Sequence, residues 1–407
     1  MSGAVDTLTR RRKTLYYLND MGLLCTLGND KQTVAGALLT RGRSVPDQRK
    51  LYRPWCGAQV GSIEGEFPPV PEGLSQYDCR NNRLAVAALE QIRPAIDAVV
   101  SNYGCDRIAV VMGTSTSGIA STERAVREWE LSGRHPDDFH ALQGAFNGLG
   151  DFVAAYLEVS GPVSTISTAC TSSGNAFLSA RRLLALELCD AVVVGGVDSL
   201  CELTVRGFGS LDALASMYCK PLSAHRDGIN IGEAGAVFLM TRERGPVRFL
   251  GGAASSDAYH ISAPHPDGAG AFRAMQDALL NAGIEPSDIS YLNLHGTGTL
   301  QNDAMECKAV NRLFGETVPC STTKAFTGHT LGAAAALEMG LCWLLLTAGS
   351  DWRLPPSLYA DDLDPELAAV AVTGHNDFDA PKPQVCMSNS FAFGGSNVSL
   401  VIGSNDD

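Results

Sequence analysis

The chain lacks any apolar run long enough to cross a membrane. It also lacks a surplus of positive charge: 44 acidic residues against 31 basic ones leave −13, which argues against general binding to nucleic acid. Among its twelve cysteines no two stand as CxxC and no spacing repeats, so neither a zinc site nor a disulfide framework is signalled. Scattered thiols of this kind fit a reducing cytoplasm. The loop Gly113-Thr-Ser-Thr-Ser-Gly118 has no P-loop lysine and no GxGxxG order, so a tight turn explains it better than a phosphate cradle. Arg10, Arg11, Arg12 and Lys13 precede an apolar run, as in a secretory leader. Asn19 and Asp20 interrupt that run and no small-residue cleavage site follows, so a first strand is the better reading.

What is present is the composition of a globular α/β chain, 45% hydrophobic and 18% charged. Its 407 residues exceed what one hydrophobic core organises, so two packed halves are expected. Strand patterns at 15–18, 107–112 and 190–197 alternate with helical periodicity at 33–39, 81–100, 139–158 and 172–188. Near residue 245 the order restarts, with strands at 247–254, 291–294, 385–388 and 398–402 and helices at 270–282, 303–313 and 331–347. The boundary therefore falls between 1–245 and 246–407. Element order, not literal repetition, relates the two parts.

Chemistry concentrates in a few short stretches. Cys170 lies in Ser164-Thr-Ile-Ser-Thr-Ala-Cys-Thr-Ser-Ser-Gly-Asn175, between an extended run and a helical one. A thiol at a helix start meets unpaired N–H groups and the positive end of the dipole, and both favour the thiolate. The small neighbours Ala169, Ser172, Ser173 and Gly174 leave room for a substrate carbonyl. That stretch alone leaves nucleophile and core filler both open. His295 opens a glycine-rich turn after an apolar strand, and His329 ends Lys324-Ala-Phe-Thr-Gly-His just before an Ala-rich helix that carries Glu338. Two histidines at such switches favour catalysis over structure. Asn389 to Asn397 is a turn whose glycines expose backbone N–H groups. His260 and His265 have no convergent acidic or cysteine partners at ligand spacing, so no metal site is expected there.

These residues resemble the β-ketoacyl-acyl-carrier-protein synthases of the I/II type, the elongating condensing enzymes. The matching motifs are Thr168-Ala-Cys170-Thr-Ser172, Arg226-Asp-Gly228, Ser256 to His260, His295-Gly-Thr-Gly-Thr299, Lys324 to His329 and Asn389 to Asn397. The resemblance implies a thiolase-like fold, two similar halves in five layers αβαβα, assembled as a homodimer or as a heterodimer with a related ketosynthase subunit. It implies a Cys170–His295–His329 triad, a supporting Lys324–Glu338 ion pair, and acidic supports at Asp303 and Glu306. Phe393 falls on a residue that gates the acyl pocket and gives its N–H to the oxyanion hole. The implied reaction is a decarboxylative Claisen condensation with malonyl-acyl carrier protein in the cytoplasm. Substrates would ride on the carrier's phosphopantetheine, with no metal or organic cofactor.

Asn19-Asp20 in the first strand, Ala234 and Ala392 depart from the family pattern, which opens specialised polyene or polyketide synthesis beside fatty-acid synthesis. Three other readings are an initiating synthase of the III type, which would use Cys-His-Asn and against which the Lys324-to-His329 motif argues, a chain-length-determining partner subunit, which usually lacks the nucleophile, and a thiolase-type acyltransferase. The latter needs a late second cysteine, for which Cys342 and Cys386 are poorly placed. Carrier docking would fall on Arg41, Arg43, Arg49, Lys50 and Arg53, or on residues 10–13.

Overall fold

The computed structural model describes residues 15–374 and 381–405. The basic cluster at 10–13 lies outside them. The main sheet is built from β1 (Tyr16–Cys25), β2 (Ile108–Gly113), β3 (Val163–Ile166), β4 (Ala191–Asp198), β5 (Ala234–Thr241), β6 (Val247–Ser256), β7 (Tyr291–Asn293), β8 (Cys320–Ser321), β9 (Val385–Phe391) and β10 (Ser396–Ser404). Its strand order is β8-β7-β9-β10-β6-β1-β5-β4-β2-β3.

Counted outward from the join, one side runs β1-β5-β4-β2-β3 and the other β6-β10-β9-β7-β8. Each side has three parallel strands at its outer edge and two antiparallel ones inside. The join is a short antiparallel contact of Tyr16–Leu18 with residues 247–249. The parallel strands β2 and β4 are buried along their whole length, which is why they read as nearly unbroken runs of Val, Ala and Gly.

Helices cover both faces. Arg80–Glu90, Arg93–Tyr103 and Gly148–Tyr156 pack on the first five strands. Ala269–Ala282 and Leu300–Phe314 pack on the second five. Between the two β layers run Ser172–Ala185 and Ala334–Thr347. The latter helix is buried on every side from Ala334 to Leu346, so it carries no polar face. The result is the αβαβα arrangement of a thiolase-like fold.

Local differences from the sequence reading have local causes. The pattern over 81–100 is two helices, because Pro94 sits in the first turn of the second and cannot continue the first. The pattern over 139–158 divides into Ala141–Gly144 and Gly148–Tyr156; a Cβ on Gly148 would stand 2.5 Å from the Leu142 carbonyl oxygen. Helices Ile119–Ser132 and Glu202–Ser210 are not among those the sequence reading expects; each has a single buried residue, Ala125 and Val205 respectively. The 41–54 stretch holds a short helix, Gln48–Leu51, and enters a hairpin of Arg53–Trp55 with Ala58–Val60. No helix among the described residues is long and apolar enough to cross a membrane.

Phe177 ties the central layer to the sheet, its ring edge-on to Phe238 at 5.1 Å and stacked on Phe249 at 6.1 Å. Phe177→Ala should cost about 3–5 kcal/mol and lower Tm accordingly. A melting curve matching that of the parent would show that this layer is not packed as described.

Candidate active site

The chain turns sharply between β3 and the Ser172–Ala185 helix, and Cys170 sits in the turn. Ala169 holds a left-handed φ of +52°, a conformation that costs a non-glycine residue energy. Hydroxyls keep it there: Ser172 Oγ and Ser115 Oγ donate to the Ala169 carbonyl at 2.6 and 3.0 Å, and the Thr168 N–H donates to Ser172 Oγ at 2.9 Å. Gly113 lets the helix start come close; a Cβ there would lie 2.4 Å from the Ser173 nitrogen. The Gly113–Gly118 loop is thus a turn that braces the cysteine.

The second half brings the histidines. Cys170 Sγ lies 2.9 Å from His329 Nε2, and the His295 and His329 rings meet edge-on with centroids 5.2 Å apart. All three side chains are buried. They open onto a cavity of about 370 Å³ that Phe208, Phe391 and Phe393 also line. Lys324 is fully buried behind His295. Its ammonium donates to the His295 carbonyl at 2.5 Å, stands 3.3 Å from His295 Nδ1, and is ion-paired with Glu338. An ammonium has only donors, so Nδ1 accepts and the proton of a neutral His295 resides on Nε2.

Burial sets the protonation of the centre. It pushes the Cys170 thiol up to about 12, against the pull of Lys324 and of the backbone N–H of Cys170. It holds both imidazoles well below their ordinary value, and the Lys324 charge adds to that. The resting pair is therefore a thiol against a neutral imidazole. Desolvation thus works against the thiolate that the helix start alone favours.

Below His295, Glu306 accepts the N–H groups of His295 and Gly296 at 2.8 and 2.7 Å, and burial pushes its carboxyl up to about 7. Asp303 accepts from Leu222 N–H at 2.8 Å and Gly298 N–H at 3.2 Å, tying this turn to the loop before Arg226. Two further buried acids escaped the sequence reading. Glu233 accepts from Arg80 at 2.6 and 2.7 Å and from the Ile63 and Leu200 N–H groups. Asp198, the last residue of β4, binds both halves. A lone acid ending an apolar strand was the available signal for it.

Phe393 stands at the mouth, 37% exposed, with its ring 5.5 Å from Phe208. Its turn requires Gly394 and Gly395, at φ +84° and +79°. The Phe393 N–H has no partner among the described residues. His260 lines the cavity, whereas His265 does not; it packs against Tyr259. No residue of the basic loop from 41 to 53 lines the cavity; Arg49 is paired with Asp47, and Arg43 donates to the Gly36 carbonyl. Cys342 and Cys386 are buried in the central core and do not line the cavity.

Cys170 Sγ and one nitrogen of each histidine lie within 4.8 Å of one another, a closeness the sequence spacing does not reveal. Such a trio can hold a metal ion or a thioester carbonyl. The Lys324 ammonium at His295 disfavours a second cation and favours an oxygen that gains negative charge.

Residues 83–245 match the family model for the beta-ketoacyl synthase N-terminal domain, and residues 248–359 that for the C-terminal domain. The chain is 33% identical to the 3-oxoacyl-[acyl-carrier-protein] synthase 2 of Staphylococcus aureus, over 94% of this chain and 99% of that one. It is 30% identical to nodulation protein E of Rhizobium meliloti, over 94% and 97% of the two chains. A chain of the structure of the ketosynthase ApeO in complex with its chain length factor ApeC, from Xenorhabdus doucetiae, superposes with a TM-score of 0.86. That match has 42% identity and covers 96% of this chain and 98% of that one. The chain belongs to the beta-ketoacyl synthase family.

The neutral pair predicts how Cys170 alkylates. Its folded pKa lies above the ordinary one, so the thiolate fraction should grow about tenfold per pH unit through neutrality and up to pH 9. Iodoacetamide labelling of the Cys170 peptide, followed by mass spectrometry because Cys105 is exposed, should rise without a plateau. A plateau below pH 7 would reveal a resting thiolate–imidazolium pair.

Proposed function

We propose that this chain catalyses the decarboxylative Claisen condensation of an acyl group held on Cys170 with malonyl-acyl carrier protein, giving 3-oxoacyl-acyl carrier protein. The observation that carries the reading is the buried cluster of Cys170, His329, His295 and Lys324 on one cavity. In loading, Cys170 Sγ attacks the acyl thioester carbonyl while its proton passes to His329 Nε2. The carrier thiolate leaves with that proton. In condensation, the bond to the malonyl carboxylate breaks, carbon dioxide departs, and the electron pair becomes an enolate whose oxygen accepts from His295 Nε2–H. The enolate carbon then attacks the acyl carbonyl and expels the Cys170 thiolate, which takes up a proton from solvent.

The developing oxyanion meets the N–H groups of Cys170 and Phe393. Removing one such donor typically costs about 10²–10³ in rate. Lys324 acts on this chemistry through His295, fixing its tautomer, and Glu338 holds the lysine's charge. Asp303 and Glu306 hold the His295 turn. Phe393 covers the mouth, and the halves 1–245 and 246–407 each supply part of the site. The reading asks for no resident cofactor, since substrates arrive on the phosphopantetheine of an acyl carrier protein. We place the chain in the cytoplasm, as a homodimer or as a heterodimer with a related ketosynthase subunit. The 42% identity to a chain of a ketosynthase–chain length factor complex supports the heterodimer, and the departures at Asn19-Asp20, Ala234 and Ala392 support a specialised polyene or polyketide pathway.

The half-reactions test the assignment. His295→Ala should still form acyl-Cys170 while losing malonyl decarboxylation about 10²-fold or more. His329→Ala, which removes the atom at 2.9 Å from the sulfur, should slow loading as well. Equal loading defects in both variants would remove the division of labour between the two rings.

A further inference from the structure

Asp198 is 1% exposed and carries an unusual concentration of donors. Its Oδ1 accepts from Thr114 Oγ1 at 2.5 Å, Ser115 N–H at 2.8 Å, and Thr116 N–H and Oγ1 at 2.9 and 3.0 Å. Its Oδ2 accepts from Gly332 N–H at 2.6 Å and Ser115 N–H at 3.1 Å. These donors come from two places. Residues 114–116 form the loop whose Ser115 hydroxyl holds the Ala169 carbonyl, and so the Cys170 turn. Gly332 lies in the turn three residues after His329, beyond Leu331, which is held at φ +52°. Gly332 has no room for a side chain: a Cβ would stand 2.7 Å from the Ser115 nitrogen and 2.8 Å from Asp198 Oδ2.

We infer that Asp198 is a positioning residue that sets the distance between the Cys170 sulfur and the His329 imidazole, by pinning the loop that braces one to the turn that carries the other. The inference rests on the proposed pairing of Cys170 with His329 as nucleophile and base. A carboxylate is needed there because an amide offers one acceptor oxygen and brings two donors of its own, so Gly332 or the 114–116 loop would lose its partner.

Alkylation of Cys170 by iodoacetamide, read on its peptide, separates this role from others. The Asp198 charge disfavours the nearby thiolate, so a purely electrostatic role predicts faster alkylation in Asp198→Asn. A merely structural role predicts a lower Tm with the alkylation rate unchanged. Positioning predicts slower alkylation, and kcat for condensation lower by about 10²-fold at unchanged KM. Gly332→Ala keeps the charge and displaces the turn from the opposite side, so it should slow alkylation as well. In a double-mutant cycle the slowing should vanish when His329→Ala is present, since the base to be positioned is gone. Faster or unchanged alkylation in both variants, or slowing that persists in the His329→Ala background, would overturn the inference. The cycle reads the thiol and imidazole without any condensation. A chain that fails to condense while the cycle holds would sink the proposed reaction and leave Asp198 its role.

Discussion

A sulfur delivered by one half of the chain must meet a nitrogen delivered by the other at 2.9 Å, and much of the fold can be understood as what makes that meeting possible. Each half alone has an outer helical face and a five-stranded sheet, with no partner for the sheet's other face. Placing the two sheets around Ser172–Ala185 and Ala334–Thr347 buries those faces. The same packing brings the start of the first helix, with Cys170 before it, to the start of the second, with His329 before it. The contact between Cys170 and His329 lies where the two halves close on each other.

Burial at that point has a chemical consequence. A water-poor centre holds the thiol protonated and the imidazoles neutral, so the resting site stores no separated charge between them. A cation is admitted there, Lys324, and it is satisfied by Glu338 and by the His295 carbonyl. Its presence dictates that His295 points a proton-bearing nitrogen away from the lysine. The low dielectric that makes a free thiolate costly also makes a fixed donor effective against a developing oxyanion. One physical setting therefore raises the barrier to idle ionisation and stabilises the charged states of the reaction.

The chain's own letters announce the parts that act locally. Cys170 stands out because its neighbours are small and a helix follows, and His295 and His329 because each precedes a turn rich in Gly and Thr. Pro94 shows in the sequence where the long 81–100 pattern must break, although the periodicity on both sides conceals it. What stays hidden depends on distance along the chain. Asp198 and Gly332 are 134 residues apart, and Arg80 and Glu233 are 153 apart, so no spacing rule links them. The protonation of Cys170 is equally illegible. The helix start that favours a thiolate is written locally, whereas the burial that outweighs it comes from residues throughout the chain.

The central claim is that an acyl group rests covalently on Cys170 and leaves it by carbon–carbon bond formation. The most direct test loads the purified protein with an acyl-acyl carrier protein and then chases it with malonyl-acyl carrier protein. Intact mass and peptide mapping follow the acyl adduct while carbon dioxide and 3-oxoacyl product are measured in the same samples. The account predicts one adduct, on the Cys170 peptide, that disappears in step with the appearance of both products. Product formed with no adduct on Cys170, or an adduct there that persists through the chase, would contradict it.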